Sequence, residues 1–283
     1  MWGVEIIPNP DKRWVKNYLR NYLVSCAHQH PAEPSWAAFQ FELQKFLKSR
    51  FTTEDSTRSE VMPKFAAGVV KFQKEVFPEK KELFERLAKG QAPEALFITC
   101  SDSRIETGLI TQTDPGELFI CRNAGNIVPP HDTHTGAMTA SIEFAVAALK
   151  VPHIVICGHT HCGAMKGALN LGALDSMPHV RDWLSHTRAA VEIVEEIGAE
   201  MSDAERLQAL TEHNVLIQLN HLRTHPAVAK ALALGRVQLH GWVYDIEDGE
   251  VLAYDDAQKL FLPVSERYAA EVAKYVQQAH CAA

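Results

Sequence analysis

The sequence lacks any apolar run approaching the roughly 18 residues needed to cross a lipid bilayer, so we expect no transmembrane segment. It also lacks a secretory signal, because the first 25 residues mix charged side chains such as Glu5, Asp11 and Arg20 among the apolar ones. Only 6 cysteines occur in 283 residues, and two of them belong to the motifs described below, so no disulfide framework is expected. Together these absences predict a cytoplasmic protein.

An excess of positive charge is absent as well. Lys and Arg number 28 against 35 Asp and Glu, and the formal net charge of -7 gives no reason to expect a nucleic-acid partner. No internal repeat is visible. Hydrophobic residues make up 46% of the chain, which is enough to bury one substantial α/β core.

Two short motifs carry the chemistry of the chain. Cys100 opens the segment Cys-Ser-Asp-Ser-Arg, and the later segment Gly-His-Thr-His-Cys-Gly contains His159 and Cys162. A lone Cys at a strand end is usually a small buried hydrophobe, but the joint pattern is far more specific than either part. A structural zinc site normally fills all four positions with Cys and His, whereas a catalytic site uses three and leaves one for water. The three side chains therefore predict a catalytic site with one Zn²⁺ per chain.

The local sequence indicates how the three ligands converge. The apolar run 95–99 ends at Cys100, and a second apolar run over 153–158 ends just before His159, so both are predicted to be buried strands. Open α/β sheets place their sites beyond the carboxyl ends of such strands. We expect a tight turn at Gly158 and a helix that begins at Gly163.

Asp102 and Arg104 lie beside the first ligand and are separated by one residue, so in extended backbone they point to the same side. An Arg fork would hold the carboxylate in place and keep it ionised. Asp102 could then accept a hydrogen bond from a zinc-bound hydroxide. Alternatively, it could swing in as a fourth ligand and close the site. His161 is a weaker candidate for carrying a proton.

The chain divides at about residue 61. Residues 1–61 contain aromatic and apolar residues at helical spacing and a polar linker, and we interpret them as a helical extension that packs on the core or on a partner subunit. A basic helix on a membrane surface is the alternative. Residues 62–283 form the predicted catalytic domain, in which strands alternate with helices. This alternation predicts an α/β fold with a mainly parallel central sheet flanked by helices.

Several longer motifs make the chain resemble a β-class carbonic anhydrase over about residues 62–263. Besides the two ligand motifs, they are the segments 115–119, 122–126, 141–145 and 240–245 and the residue Gln91. The chain looks most similar to bacterial members, including those that accompany cyanate degradation. The resemblance implies zinc at Cys100, His159 and Cys162, and a catalytic dyad of Asp102 and Arg104.

The resemblance also implies a carbon dioxide pocket, partly completed by a neighbouring subunit. Its lining corresponds to Gln91, Phe119, Ala124, Phe144 and the amide of Gly163, and Phe144 stands where the family often has a Tyr hydroxyl. A homodimer or a higher homo-oligomer is implied, with a tetramer as one form. Gln91 favours the branch in which Asp102 leaves the site open over the branch that bicarbonate closes.

The implied activity is the zinc-dependent, reversible hydration of carbon dioxide to bicarbonate and a proton. Zinc-bound hydroxide, oriented by the Asp/Arg dyad, would attack the substrate carbon. Two other functions remain open. The first is a related zinc hydrolase acting on carbonyl sulfide or carbon disulfide, and the second is a non-catalytic zinc scaffold, against which the presence of Asp102 and Arg104 argues.

Overall fold

The computed structural model describes residues 61–133 and 135–282. The chain divides into two units with a boundary between Phe84 and Glu85. The two helices and the linker predicted before residue 61 lie outside the described residues, so the predicted domain boundary stays a prediction.

Residues 61–84 are helical and present an exposed apolar surface. The elements are α1 (Val61–Lys71), a π-helical segment (Phe72–Val76), α2 (Phe77–Glu79) and the start of α3 (Lys81–Leu87). Phe72, Phe77 and Phe84 cluster with ring centroids 5.3–6.1 Å apart. The side chains of Phe65 and Val69 are 59% and 56% exposed. Phe65 and Val69 lie one turn apart, so they form an exposed apolar stripe on α1.

A six-stranded sheet organises the rest of the chain. Its spatial order is β2-β1-β3-β4-β5-β6, and the first four strands in that order are parallel. The strands are β1 (Ala95–Cys100), β2 (Leu118–Asn123), β3 (His153–His159), β4 (Gln238–Tyr244), β5 (Val251–Asp255) and β6 (Leu260–Pro263). The last two strands pair antiparallel. The predicted mainly parallel α/β sheet is therefore confirmed.

Helices connect the strands and cover the sheet. They are α4 (Thr107–Thr111), α5 (Ala137–Glu143, continued as a π-helical segment Phe144–Ala148), α6 (Gly163–Ala168), α7 (Pro178–Leu184), α8 (Arg188–Ile197), α9 (Asp203–Thr224), α10 (Pro226–Ala233), α11 (Val264–Arg267) and α12 (Ala269–Ala282), with 3-10 turns at Leu171–Leu174 and Ser185–Thr187. No helix of the described residues is long and apolar enough to cross a membrane.

The buried strands divide their side chains between two sides of the sheet. Leu96 and Ile98 of β1 join the main core, whereas Phe97 between them packs with Trp242 in a separate cluster. Alternation of this kind places apolar side chains on both faces, which explains the continuous apolar runs of β1 and β3.

Helix α9 packs unusually closely on the middle of the sheet. A Cβ added at Gly158 of β3 or at Gly241 of β4 would lie 2.9 Å from a methyl group of Val215 on α9. The helix begins with a capping box, in which Ser202 Oγ accepts from the Glu205 amide at 3.3 Å and the Glu205 carboxylate accepts from the Ser202 amide at 2.8 Å. Two glycines thus bring α9 against β3, which ends at His159, and against the neighbouring strand β4.

Candidate metal centre

The three predicted ligands converge at the carboxyl edge of the parallel strands. Cys100 is the last residue of β1, His159 is the last residue of β3, and Cys162 directly precedes α6. Their ligand atoms all lie within 4.8 Å of one another, and all three residues are buried. Tetrahedral bonds of about 2.0–2.3 Å to one ion would place such atoms roughly 3.6–3.8 Å apart. The cluster is therefore compact enough for one ion to contact all three atoms.

The imidazole of His159 is oriented to bind an ion. Its Nδ1 lies 2.8 Å from the Thr160 carbonyl oxygen, and because that oxygen can only accept, Nδ1 carries the proton. Nε2 therefore presents its lone pair, yet this fully buried atom has no hydrogen-bond partner among the described residues. An unsatisfied buried acceptor costs about 1–3 kcal/mol, which coordination to a metal would offset. The orphaned nitrogen is direct structural evidence that the residues fit a metal ion.

The thiols of Cys100 and Cys162 are joined by a hydrogen bond. A hydrogen bond from Cys162 lowers the pKa of Cys100 to about 4, and the same bond raises the pKa of Cys162. The backbone N–H of Gly125 also points at Cys100 Sγ, at 3.4 Å. A cation would replace the shared proton and bind both sulfurs as thiolates, the form in which Cys coordinates metals. Two thiolates and one imidazole form a donor set that zinc prefers.

Asp102 and Arg104 form a bidentate pair above the cluster. Arg104 donates from Nε to Asp102 Oδ1 at 2.9 Å and from Nη2 to Oδ2 at 2.8 Å. These hydrogen bonds hold the pKa of Asp102 well below its ordinary value. Arg104 Nη2 also donates to the carbonyl oxygen of His161 at 3.1 Å, so the guanidinium joins the two motifs. Asp102 Oδ2 lies 3.9 Å from His159 Nε2, so the ionised carboxylate stands beside the ligand atoms.

His161 turns the chain between two ligands without joining them. Its φ of +55° is left-handed, and its side chain is 62% exposed, with Nε2 3.8 Å from the Glu247 carboxylate. The backbone of His161 therefore serves the site through its carbonyl, while the imidazole faces solvent.

The residues assigned to the substrate pocket are only partly linked by contacts. The rings of Phe119 and Phe144 lie 6.0 Å apart, and Phe144 is 48% exposed. Ala124 is exposed, and a Cβ added at Gly163 would meet no atom within 4 Å, so space is open at the start of α6. Gln91 is exposed and makes no hydrogen bond within the described part of the chain. The pocket assignment stays a prediction.

Sequence reasoning missed the groups that hold the loop 124–128 beside Cys100. Asn214 and Gln218 of α9 are fully buried and bond to this loop across about 90 residues of sequence. Their spacing of four places both amides on one helix face, among the apolar residues that face the sheet. Two polar residues inside an apolar stripe are a signal that could have identified them.

Comparisons with known proteins agree with this geometry. A family model described as carbonic anhydrase matches residues 95–251. The chain is 50% identical to a carbonic anhydrase of Pseudomonas aeruginosa over 199 residues, which cover 70% of this chain and 90% of the relative. It is 47% identical to a carbonic anhydrase of Synechococcus elongatus over 68% of this chain and 71% of the relative. None of these comparisons bears on the predicted link to cyanate degradation.

Solved structures show the same relationship. The β-carbonic anhydrase CcaA superimposes with a TM-score of 0.71 at 43% identity, over 72% of this chain and 92% of that chain. One of two tetrameric β-carbonic anhydrases from Sordaria macrospora gives a TM-score of 0.57 at 34% identity, over 71% of this chain and 97% of that chain. On its sequence, its fold and its buried Cys-His-Cys cluster, the chain belongs to the carbonic anhydrase family, in its β class and alongside bacterial members.

Proposed function

We propose that this protein catalyses the reversible hydration of carbon dioxide to bicarbonate and a proton, with one zinc ion per chain held by Cys100, His159 and Cys162. The observation that carries the proposal is the orphaned, fully buried Nε2 of His159 beside two thiols and an ionised carboxylate. A bound zinc ion lowers the pKa of a coordinated water towards 7 and so supplies hydroxide at neutral pH.

Asp102 orients the nucleophile. Because it is ionised, its carboxylate can only accept hydrogen bonds, so the O–H of a nucleophile beside it must point towards Asp102. The lone pair of that oxygen is then free to face the substrate carbon. Arg104 occupies both carboxylate oxygens, and this pairing keeps Asp102 out of the ligand set and the site open.

An apolar wall suits carbon dioxide, which is small, linear and has no net dipole. The contacting rings of Phe119 and Phe144 supply such a wall, and Ala124 and the amide of Gly163 are the other proposed contacts. We include Gln91 as a polar contact that orients one substrate oxygen. A Phe at position 144 leaves the pocket without a hydroxyl there.

The proposed substrate is tested by comparing three candidate substrates on one purified sample. Stopped-flow measurement of carbon dioxide hydration should show rapid turnover, and carbonyl sulfide and carbon disulfide should react far more slowly. Faster turnover of either sulfur compound would assign the chain to the related hydrolases. Zinc-loaded protein that is inactive on all three substrates would instead indicate a scaffold.

We further propose that the protein works as a homodimer or higher homo-oligomer in the cytoplasm. The tetrameric relatives and the exposed apolar surface on residues 61–84 support the assembly. Cys100, Cys121, Cys157 and Cys162 are free thiols, which agrees with a reducing compartment.

A further inference from the structure

Two buried amides on α9 hold the loop that reaches Cys100. Asn214 and Gln218 are 1% and 0% exposed, and they lie one helical turn apart. Both bond to the loop 124–128, which follows β2. Buried amides at the centre of an apolar helix face are costly unless every polar atom has a partner.

The backbone N–H of Val128 determines which atom donates in each hydrogen bond of the two amides. The amide N–H of Val128 can only donate, so the atom that it meets at 2.8 Å must be the oxygen of Gln218. Nε2 of Gln218 then donates to Asn214 Oδ1 at 2.8 Å. Nδ2 of Asn214 in turn donates to the carbonyl oxygen of Gly125 at 3.1 Å. We call this chain of bonds the amide relay.

A third side chain fixes the neighbouring peptide group. Trp183 Nε1 donates to the carbonyl oxygen of Ala124 at 2.9 Å, and this carbonyl shares its peptide plane with the N–H of Gly125. The relay and Trp183 therefore fix the two peptide groups on either side of the Gly125 Cα. Gly125 itself has a φ of +81°, and an added Cβ would lie 2.8 Å from the Met165 side chain, so only glycine fits.

The N–H fixed in this way points at a ligand atom. It lies 3.4 Å from Cys100 Sγ, a distance suited to an N–H···S hydrogen bond. Two thiolates cancel the formal charge of Zn²⁺, so any group that withdraws charge from sulfur makes the bound ion a stronger Lewis acid. Hydrogen bonds from surrounding groups tune metal sites in this manner.

We propose that Asn214 and Gln218 are positioning residues, which act through Gly125 to keep an N–H on the Cys100 sulfur and so limit the charge that this thiolate gives to the metal. The proposal rests on the proposed function for its metal and its reaction. In a purely structural role, the two amides would only provide hydrogen-bond partners for the backbone of the loop 124–128. The proposal differs because it predicts an electronic change at the Cys100 sulfur.

The test uses protein in which Co²⁺ replaces zinc, because sulfur-to-cobalt charge transfer absorbs in the near ultraviolet. Asn214→Leu keeps the branch at Cγ but has no donor, and Trp183→Phe keeps an aromatic ring but has no N–H donor. Asn220→Leu is the matched control, since Asn220 is exposed on the same helix and its side chain accepts a hydrogen bond from Arg223. Without the N–H the thiolate is more electron-rich, so we expect the band to move to longer wavelength in the first two variants and to stay in place in the control.

Steady-state kinetics of the zinc forms provide a second readout. We expect kcat for carbon dioxide hydration to fall about 10-fold in Asn214→Leu with KM nearly unchanged. Folded, metal-loaded Asn214→Leu and Trp183→Phe with the wild-type charge-transfer band would overturn the proposal. If Asn214→Leu does not fold, the band of Trp183→Phe decides alone. A wild-type protein that fails to hydrate carbon dioxide would refute the proposed function, while the cobalt band would still test the relay.

Discussion

At the scale of single residues, the site depends on which atoms carry protons. The Thr160 carbonyl fixes the His159 tautomer, and Arg104 fixes both the charge and the direction of the Asp102 carboxylate. Each of these effects comes from one hydrogen-bond partner at 2.8–2.9 Å. Substitution within the Asp102–Arg104 pair should therefore change the chemistry while leaving the ligand cluster in place.

Asp102→Asn is the sharpest residue-scale test. The amide keeps the shape of the carboxylate but loses its charge and one acceptor, so zinc should stay bound while kcat falls by about 10- to 100-fold. Zinc analysis and stopped-flow hydration on the same sample measure both quantities. Asp175→Asn is the control, because Asp175 forms an exposed pair with Arg181. A wild-type rate in Asp102→Asn would make Asp102 a bystander.

The pH dependence follows from the same pair. Arg104 lowers the pKa of Asp102, so the charged form is favoured in the folded protein, and the carboxylate stays ionised far below neutral pH. The contribution of the pair to stability is thus present above the ordinary pKa of 3.8 and is lost only as the pH falls through the lowered value. We expect kcat/KM to rise with pH through one titration, that of the nucleophile.

Measurements of kcat/KM against pH, with and without added bicarbonate, check this expectation. In the open form, bicarbonate should act only as a product inhibitor. A steep, cooperative loss near neutral pH that bicarbonate deepens would mean that Asp102 leaves Arg104 and closes the site.

At the scale of secondary-structure elements, the close packing of α9 aligns β3 and β4 beneath the site. Gly241→Ala would place its Cβ 2.9 Å from Val215 and 3.0 Å from Leu219. Overpacking of this kind lowers the free energy of unfolding by about 1–3 kcal/mol, so the midpoint of urea-induced unfolding should fall. Gly136→Ala is the control, since its added Cβ would meet no atom within 4 Å. Equal midpoints for the two variants would show that α9 shifts freely.

The strands and the ligand motifs could be predicted from the sequence because their signals are local. The apolar runs of β1 and β3 end at polar ligands, and the structure places both strand ends within a residue of the expected positions. Strand β2 (Leu118–Asn123) is only partly buried, so its apolar signal in the sequence is weaker than those of β1 and β3. Helices α7, α8 and α10 and strand β6 were not predicted; α10, for example, is short and buries Val228 and Ala231 in the main core.

The amide relay marks the limit of sequence reasoning about the site. Asn214 lies 89 residues from Gly125, and the two meet only because Gly158 and Gly241 admit α9 to the sheet. A motif records which residues are close in sequence, whereas this contact depends on how a helix docks. The same limit applies to the pocket, part of which is expected to come from another subunit.

At the scale of the whole molecule, the exposed apolar stripe on α1 predicts assembly. We expect at least a dimer with two-fold symmetry by sedimentation at micromolar concentration. Val69→Asp should weaken the assembly, because it places a charge where an apolar contact is expected. Lys64→Asp, elsewhere on α1, is the control for added negative charge. A stable and active wild-type monomer would contradict this prediction.

The most direct test of the central claim is the zinc content of the purified protein and its ligand variants, measured with the hydration rate. We predict about one zinc per chain in the wild type, and loss of both zinc and activity in each of Cys100→Ser, His159→Ala and Cys162→Ser, because three ligands leave little redundancy. Cys121→Ser, which changes a buried thiol outside the cluster, should retain both. Full zinc retention in all three ligand variants would contradict the proposed site.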